Sequence, residues 1–315
     1  MTLGIIFNGQ GAQYPGMGLD FIQEFPESSK IIEKAQTITQ LPLVDWLKEG
    51  GEVLSETRNA QPAIASVSLA IYHAIRTKLP AVSYMAGLSL GEYSALMASG
   101  MLSFERGIEL LVKRGELMST HCSKIAERCP SGLAAVVGLS ADQVQKLVDQ
   151  TQCDELWLAN FNADTQTVVA GSQSHLKELR KMAKKSNIKG IIPLKVEGPF
   201  HSPLMANIQD EYHEILQTYH FELSQIPVIS NTDLSIHHPE NIKKLLTQHL
   251  VSPVQWKQTI DLMISKGITH IIQIGPGDTL AKILKRDHVP VNTLTVDKIE
   301  DVAKIKTFIQ EELSE

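Results

Sequence analysis

The sequence predicts an α/β fold in which a mainly parallel sheet is interrupted by a smaller inserted unit. Three observations carry this. Short apolar runs alternate with longer helical patterns, as in parallel sheets crossed by helices. Several of those runs end in glycine-rich turns: Gly9-Gln10-Gly11 after the first, Gly87-Leu88-Ser89-Leu90-Gly91 after another, and Gly275-Pro276-Gly277 near the end. The middle of the chain instead reads β-α-β-β-α-β, the split βαβ arrangement.

The elements follow in order. Leu3 to Phe7 is a five-residue apolar run, short enough for a buried strand. Residues 62–78 carry Ile64, Val67, Ile71, Ala74 and Ile75 at helical spacing, and Pro62 suits a first helical turn. Residues 82–86 form a second strand, followed by a helix that Gly100 stops. Residues 104–118 are helical again. In the middle, 132–139, 156–162, 165–170 and 188–196 read as strands, with helices over 141–150 and 173–185. Residues 226–230 and 270–274 are further short apolar runs, and the charged tail from Asp297 reads as a terminal helix. The expected division is a discontinuous large domain, 1–127 with 197–315, and a ferredoxin-like subdomain over 128–196.

Composition narrows the class. Hydrophobic residues make up 43% of the 315 and charged residues 20%, a balance that supports a packed core rather than disorder. The net charge of −6 argues against a protein whose main task is to grip nucleic-acid phosphates. The three cysteines, Cys122, Cys129 and Cys153, form no C-x-x-C pair and fit a reducing compartment. The first residues lack the basic and apolar regions of a signal peptide, and no apolar run nears the roughly 20 residues of a bilayer span. A cytoplasmic protein with no membrane partner is expected.

The sharpest chemical feature is the G-x-S-x-G pentapeptide around Ser89. Between a strand and a helix, such a serine occupies a tight turn with its hydroxyl exposed and backbone N–H groups at the helix start facing developing negative charge. The bland alternative is a helix-capping serine. A nucleophilic serine needs a base. Of eleven histidines, His201 is the best placed, in the loop Glu197-Gly198-Pro199-Phe200-His201-Ser202-Pro203, whose glycine and prolines fix a non-helical path. His237-His238 lies in a polar loop and is expected to be solvated. His213 and His220 lack the H-E-x-x-H spacing of a zinc site.

The first glycine-rich loop is not a dinucleotide fingerprint, because Tyr14 stands where G-x-G-x-x-G needs glycine, and no P-loop pattern occurs. Its glycines instead let a backbone N–H, such as that of Gln10, approach a reacting carbonyl. Arg114 shares a helical stripe with Leu110 and Met118. Spacing alone favours an arginine snorkelling at a helix edge, the alternative being a buried guanidinium that pairs with a substrate carboxylate.

Seven motifs occur together in one order: Gly9-Gln10-Gly11-Ala12-Gln13, Gln61-Pro62-Ala63, the Ser89 turn extended through Glu92-Tyr93-Ser94-Ala95-Leu96, Arg114-Gly115, Gly198-Pro199-Phe200-His201-Ser202, Ser252-Pro253-Val254-Gln255-Trp256 and Gly275-Pro276-Gly277. As a set, running from about Leu3 to Val296, they resemble the malonyl-CoA:acyl carrier protein transacylases of type II fatty acid synthesis. The resemblance implies a hydrolase-like α/β domain with a ferredoxin-like insert, a ping-pong reaction, malonyl-CoA and acyl carrier protein as partners, and no cofactor or metal. Carried over by position, Ser89 is the nucleophile, His201 the base, and the N–H groups of Gln10 and Leu90 the oxyanion hole. Arg114 holds the free malonate carboxylate, and the main-chain carbonyl of Gln255 orients the histidine. Asn160 and Asn162 line the thioester-cofactor groove, Gln61 and Met118 line the pocket, and Phe200 leaves little room for an α-methyl branch.

Two positions depart from the family pattern, which usually has histidine where Leu88 stands and proline where Asn8 stands. The basic residues Arg180, Lys181, Lys184, Lys185 and Lys189 are a candidate docking patch for an acidic carrier protein, or simply a solvated helix face. A serine hydrolase, a non-catalytic carrier-binding module and an acyltransferase serving a polyketide synthase are the competing readings.

Overall fold

The computed structural model describes residues 1–186, 188 and 190–310. Two four-stranded sheets organise them. The first contains β1 (Leu3–Phe7), β2 (Val82–Gly87), β7 (His270–Ile274) and β8 (Asn292–Val296), in the order β2-β1-β7-β8 with every pairing parallel. Its central strands β1 and β7 are buried at every position, which explains why β1 reads as an apolar run rather than an alternating one, while β7 buries His270 and Gln273 among its three isoleucines. The second contains β3 (Ser131–Val137), β4 (Leu156–Ala163), β5 (Gln166–Ser172) and β6 (Ile191–Pro193), in the order β4-β5-β3-β6 with every pairing antiparallel. With the helices Ala141–Thr151 and Gln173–Lys185 between its strands, it has the split βαβ order read from the sequence.

The helix Thr57–Ile75 fills the core beside the parallel sheet; all but three of its nineteen residues are buried. It starts five residues earlier than the sequence reading placed it, so Pro62 lies inside the helix and withholds one N–H from the Arg58 carbonyl. The expected strand over 226–230 is not a regular strand. It contributes only isolated bridges, Met85 to Val228 and Ile229 to Ile236, at the edge beyond β2. The helix Phe104–Arg128, capped by the Ser103 side chain on the Arg106 N–H, runs for 25 residues and reaches from the large core towards the second sheet. Among the described residues, no helix is long and apolar enough to cross a membrane.

Candidate active site

Ser89 sits between β2 and the helix Leu90–Ala98 at φ 53° and ψ −105°, a strained region for a residue with a side chain. Two glycines make the turn possible. A Cβ on Gly87 would lie 2.0 Å from the Gly91 backbone, and one on Gly91 would lie 2.2 Å from the Phe7 carbonyl oxygen. The turn is held from the side, because the Ser89 N–H donates to Asn231 Oδ1 at 2.7 Å. Leu90 is the first residue of the helix, so its N–H has no partner four residues back.

His201 brings Nε2 to 2.7 Å from Ser89 Oγ. It too has positive φ, 58°, in a loop closed by a hydrogen bond from the Ser202 hydroxyl to the Pro199 carbonyl. Burial pushes the His201 pKa down to about 4; the His249 carbonyl works against that shift and the Arg114 charge adds to it. The imidazole is therefore neutral at physiological pH, as a proton acceptor must be.

The carbonyl behind His201 is not the one expected. His201 Nδ1 lies 2.8 Å from the His249 carbonyl oxygen. The Gln255 carbonyl caps the helix Trp256–Ser265 and accepts from the N–H and hydroxyl of Thr259, which directs it away from the histidine. His249 is free to take this role because it ends the helix Ile242–His249, and the residue four positions on is Pro253, which has no N–H to offer. That spacing was readable in the sequence and is the signal that identifies His249.

A cavity of about 330 Å³ joins these groups. Its walls include the loop Asn8 to Ala12, Ser89, Leu90, Arg114, Met118, Asn160, Asn162, Phe200 and His201. Most residues singled out in the sequence thus converge here. Gln61 does not line the cavity; it is fully buried behind Arg114, accepting from Nη1 at 2.6 Å through Oε1. Arg114 itself is 2% exposed, so it is not the snorkelling side chain that spacing favours. Its Cζ lies 4.9 Å from the centre of the Tyr93 ring, while Nε and Nη2 have no hydrogen-bond partner among the described residues. A buried guanidinium with two free donors fits an incoming carboxylate, which takes two parallel hydrogen bonds from it.

The two departures have structural readings. The Asn8 side chain donates to the carbonyls of Pro276 and Gly277 at 2.7 and 3.2 Å, tying the Gln10 loop to the turn after β7. Leu88 packs its side chain against Gly9 and lines the cavity, so the wall there is apolar. His237, expected in solvent, is 1% exposed, with Nε2 2.5 Å from Glu92 Oε1; only His238 is exposed. In the basic patch, Arg180, Lys181, Lys184 and Lys185 surround a shallow surface depression together with Lys177, while Lys189 lies outside the described residues.

A strained serine at a strand–helix turn, a neutral histidine in contact with it and a cavity before both define an enzyme of the serine acyl-transfer class. The comparisons agree. A family model described as "Acyl transferase domain" matches residues 5–308, and the chain belongs to that family. It is similar to the malonyl CoA-acyl carrier protein transacylases of Bacillus subtilis (32% identical, covering 98% of both chains) and Staphylococcus aureus (34% identical, covering 95% of this chain and 96% of the other). Among solved structures, the malonyl CoA-acyl carrier protein transacylase of Clostridium perfringens matches with a TM-score of 0.92 at 29% identity over 99% of this chain and 98% of the other. A malonyl-transacylase in complex with its type II polyketide acyl carrier protein matches with a TM-score of 0.90, also at 29% identity, over 97% and 99%.

Proposed function

We propose that this acyltransferase moves a malonyl group from malonyl-CoA to the phosphopantetheine thiol of an acyl carrier protein, through an ester on Ser89, in fatty acid biosynthesis. The observation that carries the reading is a buried, half-unpartnered Arg114 guanidinium in the same cavity as the Ser89–His201 pair.

In the first half-reaction the Ser89 Oγ attacks the thioester carbon while its proton passes to His201 Nε2. The Gln10 and Leu90 N–H groups face the resulting oxyanion. The C–S bond then breaks, and the coenzyme A thiolate recovers the proton from His201. In the second half the carrier thiol gives its proton to His201 and attacks the ester carbonyl, and Ser89 regains its hydroxyl hydrogen as it leaves. The histidine is oriented by a carbonyl dipole rather than a carboxylate. That support is sufficient for thiolate leaving groups, which need less protonation than amines. Arg114, backed by Gln61 and Tyr93, takes the free carboxylate of the malonyl group. Asn160 and Asn162 face the thioester arm, and Met118 and Phe200 bound the acyl end.

The division into 1–127 with 197–315 and 128–196 belongs to this reading: the catalytic groups come from the first segment pair, and the second closes the cavity with Leu133, Ala135, Asn160 and Asn162. The cations of the helix Gln173–Lys185 supply a surface that an acidic carrier would favour. A polyketide carrier as acceptor is a second reading, favoured by the likeness to a transacylase bound to one. Intact-protein mass spectrometry after mixing with malonyl-CoA tests the proposal. The expected result is one malonyl adduct, absent from Ser89→Ala; no adduct on the parent protein would overturn it.

A further inference from the structure

The Ser89 turn is followed by a residue with no role in the chemistry above. Glu92, three positions on, lies on the first turn of the helix Leu90–Ala98 and is 0% exposed. A carboxylate is costly to bury unless it is paired and hydrogen-bonded. Three buried groups meet this one. His237 Nε2 is 2.5 Å from Oε1 and the Asn231 N–H donates to the same oxygen at 3.4 Å, while His249 Nδ1 packs 3.4 Å from Oε2 without a hydrogen bond.

Two of these groups lead straight back to the reacting pair. Asn231 Oδ1 accepts the N–H of Ser89, the residue whose backbone is strained. The His249 carbonyl meets His201 Nδ1, and the two imidazole rings sit 4.8 Å apart. The contacts therefore close a ring: Ser89, His201, His249, Glu92, Asn231 and back to Ser89. Glu92 is the one member that touches both arms, and His237 holds it from the third side.

We propose that Glu92 is a positioning residue that, through Asn231 and the His249 side chain, fixes the nucleophile turn and the base together and so sets the rate of acyl transfer without contributing to binding of the acyl donor. This rests on the Ser89 acyl-enzyme reading. Strained conformations persist only where their surroundings over-determine them. The chain holds two such residues in contact, Ser89 and His201, and this ring is what joins them. The carboxylate suits the task because it turns an acceptor oxygen to each arm, Oε1 to Asn231 and His237 and Oε2 to His249, whereas an amide keeps only one of the two as an acceptor.

The test is single-turnover malonylation of Ser89 followed by mass spectrometry, over a range of malonyl-CoA concentrations. Glu92→Gln keeps the volume and changes the acceptor set. Its rate at saturation falls on the order of 100-fold, the scale of a misplaced reacting group, with half-saturation unchanged. Because a buried substitution can unfold the chain, His249 supplies a second arm. His249→Gln and His249→Leu both keep the backbone carbonyl that meets His201, but only glutamine keeps a polar group beside Glu92 Oε2. The expected result is a slow leucine variant and recovery of most of the rate with glutamine. A purely structural role would lower the melting temperature without separating the two in saturating rate.

A parental rate in Glu92→Gln, equal rates in the two His249 variants, or losses confined to half-saturation would each overturn the proposal. The parent protein is its own control. If it forms no malonyl-Ser89 adduct, the acyl-enzyme reading has failed; if it does and the variants match it, only the role of Glu92 has.

Discussion

Replacing Arg114 with methionine keeps the apolar stem against Tyr93 and removes the charge. In the parent, Nε and Nη2 are buried donors without a partner among the described residues, so under the proposed function a malonyl carboxylate gains two charge-assisted bonds there. Hydrogen bonds to charged groups contribute about 1.5–3 kcal/mol each, and breaking a buried pair by removing one partner costs about 3–5 kcal/mol. At about 1.4 kcal/mol per tenfold, kcat/KM for malonyl-CoA falls roughly 100-fold to several-thousand-fold. Acetyl-CoA has no carboxylate and loses none of this. The substitution also strips Gln61 Oε1 of its donor, but that disturbance bears on both substrates alike. The ratio of the two kcat/KM values is therefore the informative quantity. A steady-state assay with the same carrier protein and each acyl-CoA measures it. Equal losses for malonyl and acetyl transfer would refute the clamp and leave Arg114 a packing residue.

Two other outcomes follow from the same geometry. His201 titrates near 6.5 when unfolded but is held down to about 4 by burial in the fold, so the unfolded chain binds more protons between those values. Its contribution to stability is complete above about 6.5 and is lost as pH falls towards 4, on the order of 3 kcal/mol in all; His249, also lowered by burial, adds in the same direction. Denaturant midpoints that stay level from pH 7 to 4 would contradict this. Phe200 is 6% exposed and lines the cavity beside His201, and under the proposed function its ring is the wall that an α-methyl branch on the acyl group would meet. Phe200→Ala should raise methylmalonyl transfer relative to malonyl transfer by about tenfold, the scale of one methyl group in a shaped pocket, as measured by competition between the two acyl-CoAs.

Much of this molecule was legible in the sequence. The parallel sheet was readable because its central strands are buried on both faces and so appear as short, mainly apolar runs without alternation, each followed by a glycine-rich turn. The inserted sheet was readable from the order of its elements. Most of what escaped shares a cause: the missed feature depends on a partner distant in sequence. Residues 226–230 look like a strand but find only isolated bridges beside β2. Arg114 looks like a surface arginine until Gln61, 53 residues away, is brought behind it. His237 looks solvated because its loop is polar, and only folding delivers Glu92 to it, 145 positions off. The Gln255 assignment failed differently. Position within a motif pointed to the wrong carbonyl, whereas local chemistry points to His249, whose carbonyl is left over because Pro253 follows at the fourth place.

The central claim is that a malonyl ester on Ser89 is passed to a carrier thiol in preference to water. Isolating the malonylated protein and mixing it with phosphopantetheinylated acyl carrier protein tests this most directly. The account predicts that the adduct disappears from Ser89 as malonyl-carrier appears in equal amount, much faster than it decays in buffer alone. Decay at the same rate with and without the carrier, with free malonate as the product, would contradict it and identify a hydrolase.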